Sequence, residues 1–183
     1  MAKVYVFLAN GFEDIEALAP VDILRRGGVE VTTISINDGI EVESAHGVTV
    51  LADTTFDSVG DMSDADMLVL PGGMPGAKNL NEHEGVRRAL LRQQEEGKRI
   101  AAICAAPLVL GGLGLLQGRK ATCYPGFEGT LTGATYTAEP VTADGNITTG
   151  KGPGAAMAFG YKLLSYFTDE ATVEALKQGM MFA

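Results

Sequence analysis

Short apolar runs of strand length alternate along this chain with segments of helical period, and no other feature constrains its fold as tightly. A strand that leads into a helix, and then into another strand, buries both its faces most simply inside a parallel sheet covered by helices. The clearest runs are residues 4–8, 29–36, 67–70, 99–103 and 121–123, and each but the last leads toward a helix. The first helix is expected over 13–26. Glu13, Asp14 and Glu16 stand in its first turn, Arg25 and Arg26 in its last, and Gly27-Gly28 close it; that order suits the helix dipole and a glycine stop. Pro20 inside it predicts a bent or delayed first turn. Residues 82–96 read as a second helix with Val86, Ala89 and Leu90 inward, 154–167 as a third, and 169–178 as a short terminal one. Two patches break the rhythm, 40–51 around Ala45-His46-Gly47 and 136–149 around Asp144-Gly145-Asn146. Both read as β-hairpins decorating the sheet edge.

The 183 residues are 46% apolar, enough for one domain with a good core, whereas two domains would each be undersized. With no repeat or linker in view, residues 1–183 are expected to form one α/β domain. The formal charge of −9 has no compensating block of Lys and Arg, which argues against a nucleic-acid partner whose phosphates must be neutralised. The apolar run 4–8 is cut off at Asn10-Gly11, too soon for a signal peptide or a membrane span, so a cytoplasmic protein is expected. Two cysteines need no disulfide in that compartment. Two His residues and no paired-Cys spacing offer a zinc ion few ligands, and no metal is expected.

Residues 99–108, Arg-Ile-Ala-Ala-Ile-Cys-Ala-Ala-Pro-Leu, carry the strongest chemical signal. A buried strand ends at Cys104, and small residues with a proline suited to a first helical turn follow at once. Such a strand-to-helix elbow lies at the carboxyl end of a central strand, where open α/β sheets bind ligands. Free amides of a helix N-terminus would lower the thiol's pKa there, and the thiolate is the nucleophile. The competing reading is a packed, inert thiol, since free Cys is among the most buried residue types. Cys123 fits that reading, being placed mid-strand with no helix behind it.

Leu70-Pro71-Gly72-Gly73 is a second strand end, followed by glycines. Their amides could form an oxyanion hole, or the pair could serve a tight turn that needs positive φ. No Gly-Lys-Ser or Gly-Lys-Thr follows, so a P-loop is not supported. Glu16 lies on the same rim as Gly72 and Cys104. Beside a thiolate in a partly dry pocket its pKa would rise, leaving it a proton to donate and shuttle. Glu13, Asp14 and Glu16 could equally do no more than complement the helix dipole.

Taken in order, Asn10-Gly11-Phe12-Glu13-Asp14-Ile15-Glu16 with Pro20-Val21-Asp22, Arg25-Arg26, Leu70-Pro71-Gly72-Gly73, Ala101-Ala102-Ile103-Cys104-Ala105 and Gly152-Pro153-Gly154 resemble the ThiJ/PfpI superfamily. The likeness covers nearly the whole chain and is to the DJ-type branch, that of the parkinsonism-associated protein deglycase and its bacterial relatives. The resemblance implies a flavodoxin-like three-layer α/β/α sandwich with a mainly parallel sheet, usually a homodimer. It implies Cys104 as nucleophile with Glu16 hydrogen-bonded to its sulfur, and the amides of Gly73 and Ala105 as the oxyanion hole. Branches of the superfamily that resemble proteases or chaperones carry a histidine after the cysteine, where this chain has Ala105; the base of a Cys-His peptidase is missing. Some relatives have histidine where this chain has Tyr124, whose hydroxyl could still close the pocket beside Gly72.

The expected function is therefore cofactor-independent processing of reactive carbonyls, of glyoxalase or protein-deglycase type, linked to oxidative-stress protection. Small aldehydes or glycated groups are the substrates, and the two oxyanion-hole amides stabilise the alkoxide by about 3 kcal/mol per donor. The alternative is a redox sensor or redox-gated chaperone working through oxidation of Cys104 to sulfinic acid. A homodimer would meet through Arg25-Arg26 and the stretch of Ile15, Leu18 and Pro20.

Overall fold

The computed structural model describes residues 1–182. In chain order the strands are β1 (Lys3–Leu8), β2 (Glu30–Ser35), β3 (Glu41–Glu43), β4 (Thr49–Leu51), β5 (Thr54–Thr55), β6 (Met67–Leu70), β7 (Arg99–Ile103), β8 (Lys120–Ala121), β9 (Thr135–Tyr136), β10 (Val141–Asp144) and β11 (Ile147–Gly150). The helices are α1 (Asp14–Arg26), α2 (Gly76–Glu82), α3 (Glu84–Glu95), α4 (Pro107–Gly112), α5 (Ala156–Leu164) and α6 (Glu170–Gly179). Seven strands form one sheet in the order β10-β11-β7-β6-β1-β2-β5. Every pair in it is parallel except β10 with β11. The middle strands are buried on both faces, which is why β1, β6 and β7 read as continuous apolar runs rather than as alternation.

Helices cover both faces, giving the three-layer α/β/α arrangement. α1 packs on α5, while α2 packs on α3 and α4. Glycines set the closeness of the first pair: a Cβ on Gly160 would stand 2.7 Å from Ile23 Cδ1 and 3.2 Å from Pro20 Cα. Pro20 is thus buried against α5 rather than exposed on the presumed dimer face. It does not disturb the first turn of α1 either, because the Glu13 carboxylate caps that turn by accepting the Glu16 N–H at 2.7 Å.

Three local readings are corrected. β2 leads into the antiparallel β3–β4 hairpin, a small sheet of its own, and not into a helix. Residues 121–123 are no strand of the main sheet: β8 pairs only with β9. Beyond β8 the backbone is tied by single bonds, Thr122 N–H to Thr149 Oγ1 at 2.9 Å and Tyr124 N–H to the Cys104 carbonyl at 2.9 Å, so no ladder continues. The hairpin expected over 136–149 forms, but its second strand, β11, is an inner strand between β10 and β7. His83 caps α3, accepting from Val86 N–H at 3.1 Å, with its ring edge-on to Phe56 at 4.7 Å. No helix among the described residues is long and apolar enough to cross a membrane.

Candidate active site

The loops after β1, β6 and β7 meet at the carboxyl edge of the sheet because those strands are neighbours. Glu13 N–H donates to the Gly72 carbonyl at 3.0 Å and Gly76 N–H to the Gly11 carbonyl at 3.2 Å, which locks the β1 loop to the β6 loop. Gly11 has φ +85 and lies so close to Pro75 that no side chain fits there. This contact carried no signal in the sequence beyond the glycine itself.

Cys104 stands immediately after β7 with φ 65, in the left-handed region that non-glycine residues rarely adopt. Its N–H donates to the Gly150 carbonyl at 2.9 Å and its carbonyl accepts from Tyr124 N–H at 2.9 Å. Bonds from two other segments therefore hold the strained residue from both sides, the pattern expected where strain serves a site. The side chain is buried, 8% exposed.

Glu16 is fully buried, 0% exposed. Its Oε2 accepts the Gly72 N–H at 3.0 Å, while Oε1 is buried with no partner in hydrogen-bonding geometry. Gly72 is the floor between acid and thiol. A Cβ there would stand 2.6 Å from Cys104 Cβ and 2.6 Å from Glu16 Oε2, so any side chain would fill the space the two groups share. Gly73 satisfies the tight-turn reading of the glycine pair: φ is +85, and a Cβ would lie 2.6 Å from the Gly11 carbonyl oxygen.

Burial lifts the Glu16 pKa to about 7, with the neighbouring Cys104 thiol and the Gly72 amide working against the rise and Glu13 adding to it. Burial also pushes the Cys104 thiol up to about 12, and the Glu16 charge pushes the same way. The amides of Gly73 and Ala105 favour the thiolate but are outweighed. The lowered thiol pKa expected from a helix N-terminus is thus reversed, since α4 is a helix of six residues and burial, followed by the Glu16 charge, outweighs the amides. The two groups titrate as a pair holding one proton across the neutral and alkaline range.

Tyr124 reaches the site through its backbone. Its ring, about half exposed, lies over Gly152, whose Cβ would be 3.1 Å from the ring. With Pro125, Pro140, Lys151, Pro153 and Ala155 it lines a cleft of about 310 Å³. His46 is bonded to Asp14 at 2.8 Å on the outer side of α1. Glu13, Asp14 and His46 bring one donor atom each within 4.8 Å of one another, a spacing that could hold a cation, although Glu13 already serves as the cap of α1. Both cysteines are free and buried.

Residues 2–166 match the model of the DJ-1/PfpI family. Protein DJ-1 homolog B of Arabidopsis thaliana is 41% identical over 164 residues, covering 88% of this chain and 37% of that protein. The chain therefore spans well under half the length of that plant relative. Protein dj-1beta of Drosophila melanogaster is 35% identical over 97% of this chain and 96% of its own length, and a protein named a deglycase in Pyrococcus horikoshii is 37% identical over 86% and 94%. Among solved structures, a DJ-1 superfamily protein from Salmonella typhimurium superposes with a TM-score of 0.95 at 34% identity over the full length of both chains. Toxoplasma gondii DJ-1 in an oxidised form does so with a TM-score of 0.95 at 35% identity, again over both full lengths.

Proposed function

This chain belongs to the DJ-1/PfpI family, and from that premise we propose that it is a cofactor-independent enzyme that processes reactive carbonyls with Cys104 as nucleophile and Glu16 as acid and base. One observation carries this reading: a buried thiol and a buried carboxyl with a pKa near 7 face each other across Gly72, where no side chain can intervene. That pair can deliver a thiolate to the carbon and a proton to the oxygen of one substrate carbonyl.

For methylglyoxal the thiolate sulfur forms a bond to the aldehyde carbon. The developing alkoxide meets the amides of Gly73 and Ala105 and takes the Glu16 proton, giving a hemithioacetal. The Glu16 carboxylate then removes the hydrogen from that carbon, and the proton returns to the adjacent carbon. The result is a thioester of lactate, which water hydrolyses to release lactate and the thiol. Oxidation at one carbon matches reduction at its neighbour, so no redox cofactor enters. The same attack on an early glycation adduct gives the deglycase outcome, in keeping with the name of the Pyrococcus horikoshii relative.

The test is lactate formation from methylglyoxal by reduced protein, with Cys104→Ala and Glu16→Gln beside it. Repeated turnover that both variants abolish supports the enzyme; no turnover by the parent protein refutes it for this substrate. A second reading is favoured by the buried, unpartnered Glu16 Oε1, a position from which a protonated carboxyl can donate to an oxygen added to the sulfur. There peroxide oxidises Cys104 to the sulfinate, and the modified protein acts as a redox sensor or chaperone. In both readings the working unit is a cytoplasmic homodimer joined through α1.

A further inference from the structure

The reaction above uses the sulfur, the carboxyl and two amides, and it leaves unused a cleft whose walls are bonded to the Cys104 backbone. That cleft has two walls, residues 124–125 and 151–155. Each is tied to the backbone of Cys104 itself: Tyr124 N–H donates to the Cys104 carbonyl, and Gly150, which precedes the second wall, accepts the Cys104 N–H. The cleft is therefore registered to the nucleophile through both backbone polar groups of Cys104. A change in position of either wall would move with the elbow.

Its chemistry is narrow. Three prolines, Ala155 and the face of Tyr124 make the walls apolar, and Lys151 is the one charged group among the described lining residues, its Nζ already donating to the Ala138 carbonyl at 3.1 Å. No carboxylate or amide side chain lines it. A sugar-like arm would leave its hydroxyls without side-chain acceptors, and a cationic arm would meet Lys151 unopposed. A flat apolar arm loses nothing on entry and can stack on the tyrosine ring. At about 310 Å³ the space is at the small end of ligand sites, suited to one ring or a branched alkyl group. Gly152 leaves room for the ring, since a side chain there would press on it at 3.1 Å.

We infer that the Tyr124–Pro153 cleft is a specificity subsite for the non-reacting arm of the substrate, so that the site selects α-oxoaldehydes carrying an aromatic or bulky apolar substituent over methylglyoxal. This rests on the carbonyl-processing reading, and the experiment separates the two. Turnover of phenylglyoxal to mandelate and of methylglyoxal to lactate is measured for the parent protein, Tyr124→Ala and Tyr124→Phe, and the ratio of the two kcat/KM values is the readout. The ratio favours phenylglyoxal in the parent protein, falls at least five-fold in Tyr124→Ala and is kept in Tyr124→Phe. A ratio that neither substitution moves overturns the subsite while the enzyme stands. Should the parent protein turn over neither aldehyde, the enzyme reading fails and the subsite is judged by binding to Cys104→Ser protein. Tighter binding of benzoylformate than of pyruvate, lost on adding Tyr124→Ala, upholds it; equal binding overturns it.

Discussion

Glu16 and Cys104 hold one proton between them over the range in which the protein works, and that count sets the pH dependence. Below about 7 the carboxyl and thiol are both protonated, and no nucleophile is available. As pH rises through about 7 the pair loses its first proton, and the second remains until about 12. The predicted profile of kcat/KM for methylglyoxal therefore rises with an apparent pKa near 7 and stays level above it. In Glu16→Gln the rise near 7 disappears. The thiolate, followed by its ultraviolet absorbance, then forms at lower pH than in the parent protein because the opposing charge is gone. Turnover nevertheless falls by about a hundredfold or more, as for other lost acid–base groups. If the lower thiol pKa alone raised the rate, Glu16 would be no catalyst. The backbone of Cys104 gives a separate prediction. At φ 65 a glycine escapes strain that costs an alanine about 1 kcal/mol. Both variants are inactive, but Cys104→Gly should melt about 2–4 °C above Cys104→Ala in calorimetry.

Between elements, α1, the helix that carries Glu16, packs closely on α5. A valine at position 160 would drive its Cβ against Ile23 and Pro20. Gly160→Val is expected to cost about 1–3 kcal/mol, read as a lower midpoint in urea unfolding, and an unchanged midpoint would mean the helices separate freely. The same comparison explains what could be read in advance. β1, β6 and β7 were legible because strands buried on both faces are apolar throughout, and α3 because Val86, Ala89 and Leu90 share a face. Glu16, the Gly72-Gly73 pair and Cys104 could be gathered from their places just after three such strands, whereas a role for Ala105 came only with the family resemblance. α2 was not legible: in seven residues only Gly76, Ala77 and Leu80 are buried, too few to set a period. β11 was mistaken for an edge because a hairpin reads the same wherever it docks. The thiol's pKa was misjudged for a related reason, since the burial that raises it comes from chain segments far apart in sequence.

Stability of the whole molecule carries the signature of its buried acid. The folded pKa of Glu16, about 7, exceeds the ordinary 4.5, so the folded state binds the proton more tightly than the unfolded chain. The resulting stability is complete below 4.5 and is lost as pH rises through about 7, amounting to about 3 kcal/mol at 1.36 kcal/mol per unit. Melting temperature should fall between pH 5 and 8 in the parent protein and stay nearly flat in Glu16→Gln; equal slopes would mean the carboxyl is not buried in solution. The proposed homodimer would use the other side of the same helix. Ile15 and Leu18, 53% and 40% exposed, stand one turn apart on α1, flanking the buried Glu16. Arg25 and Arg26 are already paired within the chain, with Asp53 and Asp22, so an interface here would draw on apolar area and not on free charge. An apolar pair on one helix face is self-complementary across a two-fold axis. Light scattering should accordingly give twice the chain mass for the parent protein and a single-chain mass for Leu18→Glu. A single-chain mass in the parent protein would instead leave Ile15 and Leu18 open to solvent, and the homodimer would be wrong.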